Sequence, residues 1–229
     1  MKYWAIEELQ KQDFFNSLPP NVIQTLLNIG RCCEYQKKEM VYRAGEFSQV
    51  IHILLEGRVM VYNLTKHGNR KVIFVLGKGH LLDHNMLSPK PSSVFCEAAG
   101  RAVVLQIPRA EFANLAGQNL SLMQAVVQEY ERYIWRLSHQ LKNTTGNMHT
   151  ERKIAAKLWK LGRDFGVEGV DGVCIELDMT LTLLADLVGV PRETISRACK
   201  TLAEKGLLVY RDRRFILPDP DALAQFYKM

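Results

Sequence analysis

No apolar run in this chain approaches the roughly 20 residues that a membrane-spanning helix requires. One of the longest, "VIFVL" from Val72, suits a short strand instead. Nor does the N-terminal "MKYWAIEELQKQDFF" follow the basic-then-apolar order of a secretion signal, because acids interrupt it. From these absences we expect a cytoplasmic protein with no membrane partner. Cysteine is sparse: Cys32, Cys33, Cys96, Cys174 and Cys199 are odd in number and never spaced C-x-x-C. That argues against a disulfide framework, a zinc site and a cysteine-bound cluster. It leaves small core residues or surface thiols, with redox sensing by the adjacent Cys32–Cys33 pair as the alternative. A Gly-rich phosphate loop, a nucleophile elbow and an H-E-x-x-H motif are also missing, so we expect no catalytic activity.

What is present is a globular composition. The 229 residues are 47% hydrophobic and 24% charged, enough for one large domain or two ordinary ones. The formal charge of +6 favours a polyanionic partner only where the positive residues cluster. From about Val22 to Ile107 the chain reads mostly as short strands punctuated by glycine. "YRAGEFS" turns around Gly45, "IHILLEGRVMVYNL" alternates on either side of Gly57, and "KHGNR" is a hairpin turn. This spacing predicts an antiparallel roll or sandwich. "SPKPSS" (Ser88–Ser93) is its two-proline loop.

After "PRAEF" the period changes. Leu120, Met123, Val127, Tyr130, Ile134, Leu137 and Leu141 recur at alternating steps of three and four, the spacing of a coiled-coil seam. A helix buried beneath the strand domain could use such a stripe. A two-fold dimer accounts better for its strictness, with Met123, Val127, Tyr130, Ile134, Leu137 and Leu141 at the interface. "NTTGN" (Asn143–Asn147) supplies a hinge, and a second helix begins after Thr150 with Ile154, Leu158, Leu161 and Phe165 on one face. "EGVDGV" then turns the chain into a short strand, "CIEL".

"MTLTLLADLVGVPRETISRACKTLAEKGLLVYRDRRFIL" has the grammar of a helix-turn-helix followed by a wing. Thr180 caps the first helix. Ala185 allows close crossing, Gly189 suits a left-handed turn, and Val190 and Ile195 are anchors. Pro191 opens the second helix and Gly206 ends it. The first turns of such a helix face base edges in the major groove. Arg192 and Arg197 each present a fork suited to guanine, Glu193 accepts from a cytosine amino group, and Ser196 shares their face. Thr194, Lys200, Arg211, Arg213 and Arg214 are cast as phosphate contacts. A surface ion pair between Glu193 and Arg197, spaced i, i+4, is the plainer use of those charges.

At "RETISR" the chain resembles the cyclic-AMP receptor protein and fumarate-nitrate regulator (CRP/FNR) superfamily, and the resemblance extends over nearly its whole length. It implies an α+β architecture: an N-terminal antiparallel β-roll of the cyclic-nucleotide-binding type (residues 1–118), a dimerisation helix and hinge (119–149), and a C-terminal winged helix-turn-helix (150–229). It implies a homodimeric bacterial transcription regulator whose partners are an operator in double-stranded DNA, RNA polymerase and a small-molecule effector. A β-roll ligand-binding module regulating a protein partner is the alternative. Arg192, Glu193 and Arg197 match the base readers of the cyclic-AMP branch, and Glu193, Ser196 and Arg197 those of the oxygen-sensing branch.

The effector region departs from the family pattern. Asp83 and His84 stand where nucleotide binders carry glycine and glutamate, and Ser92 and Ser93 where they carry arginine and serine. Without that arginine an anionic phosphate loses its charge-assisted fork, so cyclic AMP is not the expected effector. The N-terminal cysteine cluster of the iron–sulfur branch is absent. The resemblance places a pocket among Leu82, Asp83, His84, Ser92, Ser93, Tyr130, Tyr133, Leu137 and Ser138. Its walls suit a small aromatic compound or a haem-bound gas, with His84 as the axial-ligand candidate.

Overall fold

The computed structural model of the chain describes residues 4–86, 90–145 and 149–228, the side chains of 142–145 excepted. Two compact units emerge: residues 1–63 with 73–137, and residues 64–72 with 138–229.

The chain opens with two helices, α1 (Ile6–Leu9) and α2 (Pro20–Ile29). Strand structure was expected from about Val22, but it starts only at β1 (Arg31–Tyr35). The reason is local: Pro20 sits in the first turn of α2, where its missing N–H costs nothing, and Val22, Ile23 and Leu26 bury one helical face. There follow β2 (Met40–Tyr42), β3 (Val50–Glu56), β4 (Val59–Leu64), β5 (Arg70–Leu76), β6 (His80–Leu81), β7 (Phe95–Ala98) and β8 (Ala102–Pro108). They form two four-stranded sheets, ordered β1-β8-β3-β6 and β2-β7-β4-β5. The neighbours β3 and β4 lie in different sheets, so the turn at Gly57 carries the chain from one sheet to the other. Its φ of +84° and the 2.3 Å that would separate a Cβ from the Arg101 carbonyl oxygen require glycine there.

Strand β3 is buried on both faces, which is why it reads as a nearly continuous apolar run. Ile51, Ile53 and Leu55 join Phe14, Ile23, Leu26, Phe112, Leu122 and Val126 in one cluster. On its other face, Leu54 packs with Val61, Leu76, Leu82, Cys96 and Val104, drawn from both sheets. The helical stretch after "PRAEF" is two helices, α3 (Arg109–Gln118) and α4 (Leu120–Thr145). Asn119 separates them in an extended conformation, its side chain donating to the Leu115 carbonyl at 2.9 Å. Helix α4 persists to Thr145, into the expected hinge; the remainder of that hinge, at 146–147, lies outside the described residues, as does part of the two-proline loop at 88–89.

The second unit contains α5 (Thr150–Phe165), β9 (Gly166–Gly169), β10 (Gly172–Ile175), α6 (Leu181–Val188), α7 (Arg192–Glu204), β11 (Val209–Arg211), β12 (Arg214–Leu217) and α8 (Pro220–Lys228). Its sheet runs β11-β12-β10-β9. The strand expected at "CIEL" begins earlier and ends at Ile175, paired back on β9. Helix α5 buries Ile154, Leu158 and Leu161 as its spacing predicts, and packs on α7 and on α8.

Candidate DNA-binding surface and effector cavity

The helix-turn-helix is built from local signals in the sequence. The Thr180 hydroxyl accepts the Leu183 N–H at 3.0 Å, capping α6. Gly189 ends α6 in the left-handed region (φ 82°, ψ 38°). Pro191 is the N-cap of α7, one position ahead of where the sequence placed it, and Gly206 (φ +69°) follows the helix end. Ile195, Ala198, Cys199 and Leu202 bury one face of α7. Burial pushes the Cys199 thiol up to about 11, so it is a core residue with no reactive thiolate at neutral pH. This anchoring leaves Arg192, Glu193, Ser196, Arg197 and Lys200 exposed on the opposite face, with Thr194 half-buried. Glu193 and Arg197 form no ion pair, so both heads are available to an outside partner. Lys200 lies 4.0 Å from Glu204.

Strands β11 and β12 make the wing. Arg211 pairs with Arg214, so Asp212 and Arg213 alone form the turn, at φ +51° and +60°. This is the primed turn that suits twisted strands, made here without glycine or asparagine. Arg211 contacts Asp171 at 3.1 Å, and Arg213 contacts Asp178 at 2.8 Å through Nε. Sequence reasoning missed both aspartates, because nothing in their spacing ties them to the wing. Arg214 is exposed at the start of β12.

In the first unit, Asp83 is buried. Its carboxylate accepts the His52 backbone N–H at 2.5 Å and contacts the His52 imidazole Nδ1 at 3.1 Å. The pair lines a cavity of about 220 Å³ together with Tyr42, Glu46, Phe47, Asn85, Ser92 and Gln106, among others. Of the residues expected around an effector, this cavity includes Asp83 and Ser92; α4 contributes none to it. The Ser92 hydroxyl is committed to the Val94 backbone, donating to its carbonyl at 2.9 Å and accepting its N–H at 3.3 Å. Ser93 is exposed.

Several residues expected to line a pocket between the 80–94 loop and α4 are engaged within the protein. Leu82 is fully buried in the apolar cluster that both sheets share. Tyr133 donates to the Leu81 carbonyl at 2.8 Å and sets its ring edge against Phe74, 5.3 Å between centroids. Burial holds its phenol well above the usual value. Tyr130 accepts the Met86 N–H at 3.4 Å. Leu137 and Ser138 are exposed. His84 is surface-exposed, yet desolvation lowers its imidazole pKa, with Asp83 opposing. A neutral imidazole suits a metal. Among the described residues no group of three or more His, Cys, Asp or Glu is placed to hold a metal ion.

Helix α4 has two apolar faces. Leu122, Ala125, Val126, Glu129 and Tyr133 are buried in the first unit, and Met123 and Tyr130 pack partly against its core. Val127, Ile134, Leu137 and Leu141 are 47–63% exposed. The expected seam is therefore divided: Met123 and Tyr130 turn toward the β-roll, while Leu120, Val127, Ile134, Leu137 and Leu141 are exposed.

Comparison with known proteins assigns these parts. Residues 32–119 match the model of the cyclic nucleotide-binding domain and residues 152–226 that of the Crp-like helix-turn-helix domain. The fumarate and nitrate reduction regulatory protein of Escherichia coli is 23% identical over 190 residues, which are 83% of this chain and 76% of that protein. A CooA mutant from Carboxydothermus hydrogenoformans superposes with a TM-score of 0.75 at 20% identity, covering 89% of this chain and 90% of that one. FixK2 from Bradyrhizobium japonicum gives 0.72 at 22% identity, covering 86% and 96%. No helix among the described residues is long and apolar enough to cross a membrane. With a cyclic nucleotide-binding fold and a Crp-like helix-turn-helix in this order, the chain belongs to the CRP/FNR family of DNA-binding transcription regulators.

Proposed function

We propose that this regulator works as a homodimer joined along α4 and reads a two-fold symmetric operator, with RNA polymerase as its protein partner. Residues 1–118 sense the effector, 119–149 dimerise and 150–229 bind DNA. The supporting observation is the exposed face of α7: Arg192, Glu193, Ser196 and Arg197 stand together over a buried face that fixes the helix in its domain. Arg197 reads the guanine of a TGA core, Glu193 the cytosine paired with it, and Arg192 a further guanine. Thr194, Lys200, Arg211, Arg213 and Arg214 hold phosphates. Half-site centres fall about 10–10.5 bp apart, one turn of DNA.

The effector is a small molecule other than cyclic AMP. Its seat is the His52–Asp83 cavity, whose walls include Tyr42 and Phe47. At about 220 Å³ the cavity suits a small aromatic compound rather than a haem.

Selection of binding sites from a random DNA pool by the full-length protein tests the DNA reading. A palindromic motif is expected, and Arg197→Ala costs about 1–3 kcal/mol on it while relaxing preference at a single position. Enrichment of a non-palindromic motif overturns this reading.

A further inference from the structure

We propose that Asp178 is a positioning residue for DNA binding: it holds Arg213 so that the guanidinium grips one backbone phosphate with both terminal amino groups. The inference rests on the wing arginines being phosphate contacts, and goes beyond that by naming what aims one of them.

Arg213 is held at two points by adjacent residues. Its carbonyl accepts the Met179 N–H at 2.8 Å, and its Nε lies 2.8 Å from Asp178 Oδ1. The Tyr210 hydroxyl donates to the Met179 carbonyl at 3.2 Å, tying the other wing strand to the same segment. The next residue, Thr180, caps α6. The segment 178–180 therefore fixes the wing tip to the start of the helix-turn-helix. Arg213 is also kept in the left-handed region, at φ +60°, where an arginine is strained and glycine is not.

The choice of nitrogen decides what the pair does. A guanidinium is a planar fork of five N–H donors. With Nε 2.8 Å from Asp178, its outer end, made of the two terminal amino groups, has no other ion-pair partner among the described residues. That end matches two phosphate oxygens. Arg211 differs, since it spends a terminal nitrogen on Asp171 at 3.1 Å. Both members of the Arg213 pair are exposed, with side chains 57% and 39% accessible. As a stabilising ion pair it is therefore worth little. Its consequence is orientation.

A simple charge argument gives the opposite sign: deleting a carboxylate beside a DNA-binding surface strengthens binding. This makes the test discriminating. Full-length protein is titrated against a labelled duplex of random sequence by fluorescence anisotropy over a range of salt concentrations. Arg213→Ala is expected to lower the slope of log K against log[salt] by about one unit. Asp178→Ala is expected to weaken binding and lower the slope by the same amount, although it removes a negative charge. The double variant should bind no worse than Arg213→Ala alone. Asp178→Asn, whose amide oxygen can take the same place beside Nε, should keep the wild-type slope, and Arg213→Lys should lose it despite its charge. Thermal melts matching wild type establish that each variant folds. Tighter binding by Asp178→Ala, or an unchanged slope, overturns the positioning role. An unchanged slope in Arg213→Ala overturns the phosphate contact itself, a separate failure.

Discussion

At the scale of single residues, the DNA-binding unit depends on positions where one side chain satisfies a backbone need. Thr180 is the clearest. The first N–H groups of a helix have no partner inside it, and the Thr180 hydroxyl accepts that of Leu183. Thr180→Ala should destabilise the unit by about 1 kcal/mol, read as a lower urea midpoint with unchanged slope, while Thr180→Ser should retain most of the stability. An unchanged midpoint for Thr180→Ala shows that solvent caps α6 equally well. Asp83 illustrates the reverse case, a residue whose type was legible and whose use was not. Its place in the sequence marked it as a charge facing the effector; in the structure it accepts two contacts from His52. That pairing crosses 31 positions in sequence, and no periodic pattern encodes it. Asp171, Asp178 and the wing arginines were opaque for the same reason.

At the scale of elements, patterns with short-range causes were legible and those set by tertiary competition were not. The glycine turns, the cap of α6, the αL residue Gly189 and the buried anchor Ile195 of α7 each arise within a few residues, and each forms where the sequence places it. Helix α2 and helix α8 were missed: the first because strand signals were extended too far toward the N-terminus, the second because its neighbours in space lie far away in sequence. Helix α4 is the instructive intermediate. Its three–four spacing suggested one seam, but a second stripe of Leu122, Ala125, Val126 and Tyr133 takes the β-roll side. That stripe includes Glu129, 1% exposed, which meets His80 of β6 at 2.5 Å and Arg132 at 3.6 Å. A buried glutamate is read from sequence as solvated, because only its tertiary partners make burial tolerable. The division of α4 sharpens the dimer prediction. Ile134→Asp with Leu137→Asp alters two exposed residues, so the monomer should fold normally, sediment at half the mass and lose operator binding. An unaltered dimer in sedimentation places the two-fold contact elsewhere. Leu122→Asp, by contrast, should destabilise the first unit, because it leaves an unpaired charge within the core.

At the scale of the whole molecule, we propose that this β-roll does not accept a cyclic nucleotide. Three features support this. Ser92 replaces the arginine that the family resemblance assigns to the phosphate, and its hydroxyl is committed to the Val94 backbone. Asp83, where the same resemblance places a glycine, brings a buried carboxylate. Tyr133, Phe74 and Leu82 pack together in the apolar cluster shared by the two sheets. Each is unfavourable to a cyclic phosphodiester: the first withdraws its counter-charge, the second adds repulsion, and the third removes volume from a close-packed interior. Calorimetric titration with cyclic AMP should therefore give no binding heat, and the nucleotide should not alter DNA affinity. Because the obstacles are independent, Ser92→Arg alone should not create a site. Restoring the fork does not open the packing around Tyr133, whose hydroxyl is tied to the Leu81 carbonyl. Micromolar binding to the wild-type protein would mean that another cation, with Lys90 the nearest in sequence, supplies the phosphate contact. Tight binding to Ser92→Arg would mean that the aromatic packing yields readily, and that charge alone keeps the nucleotide out.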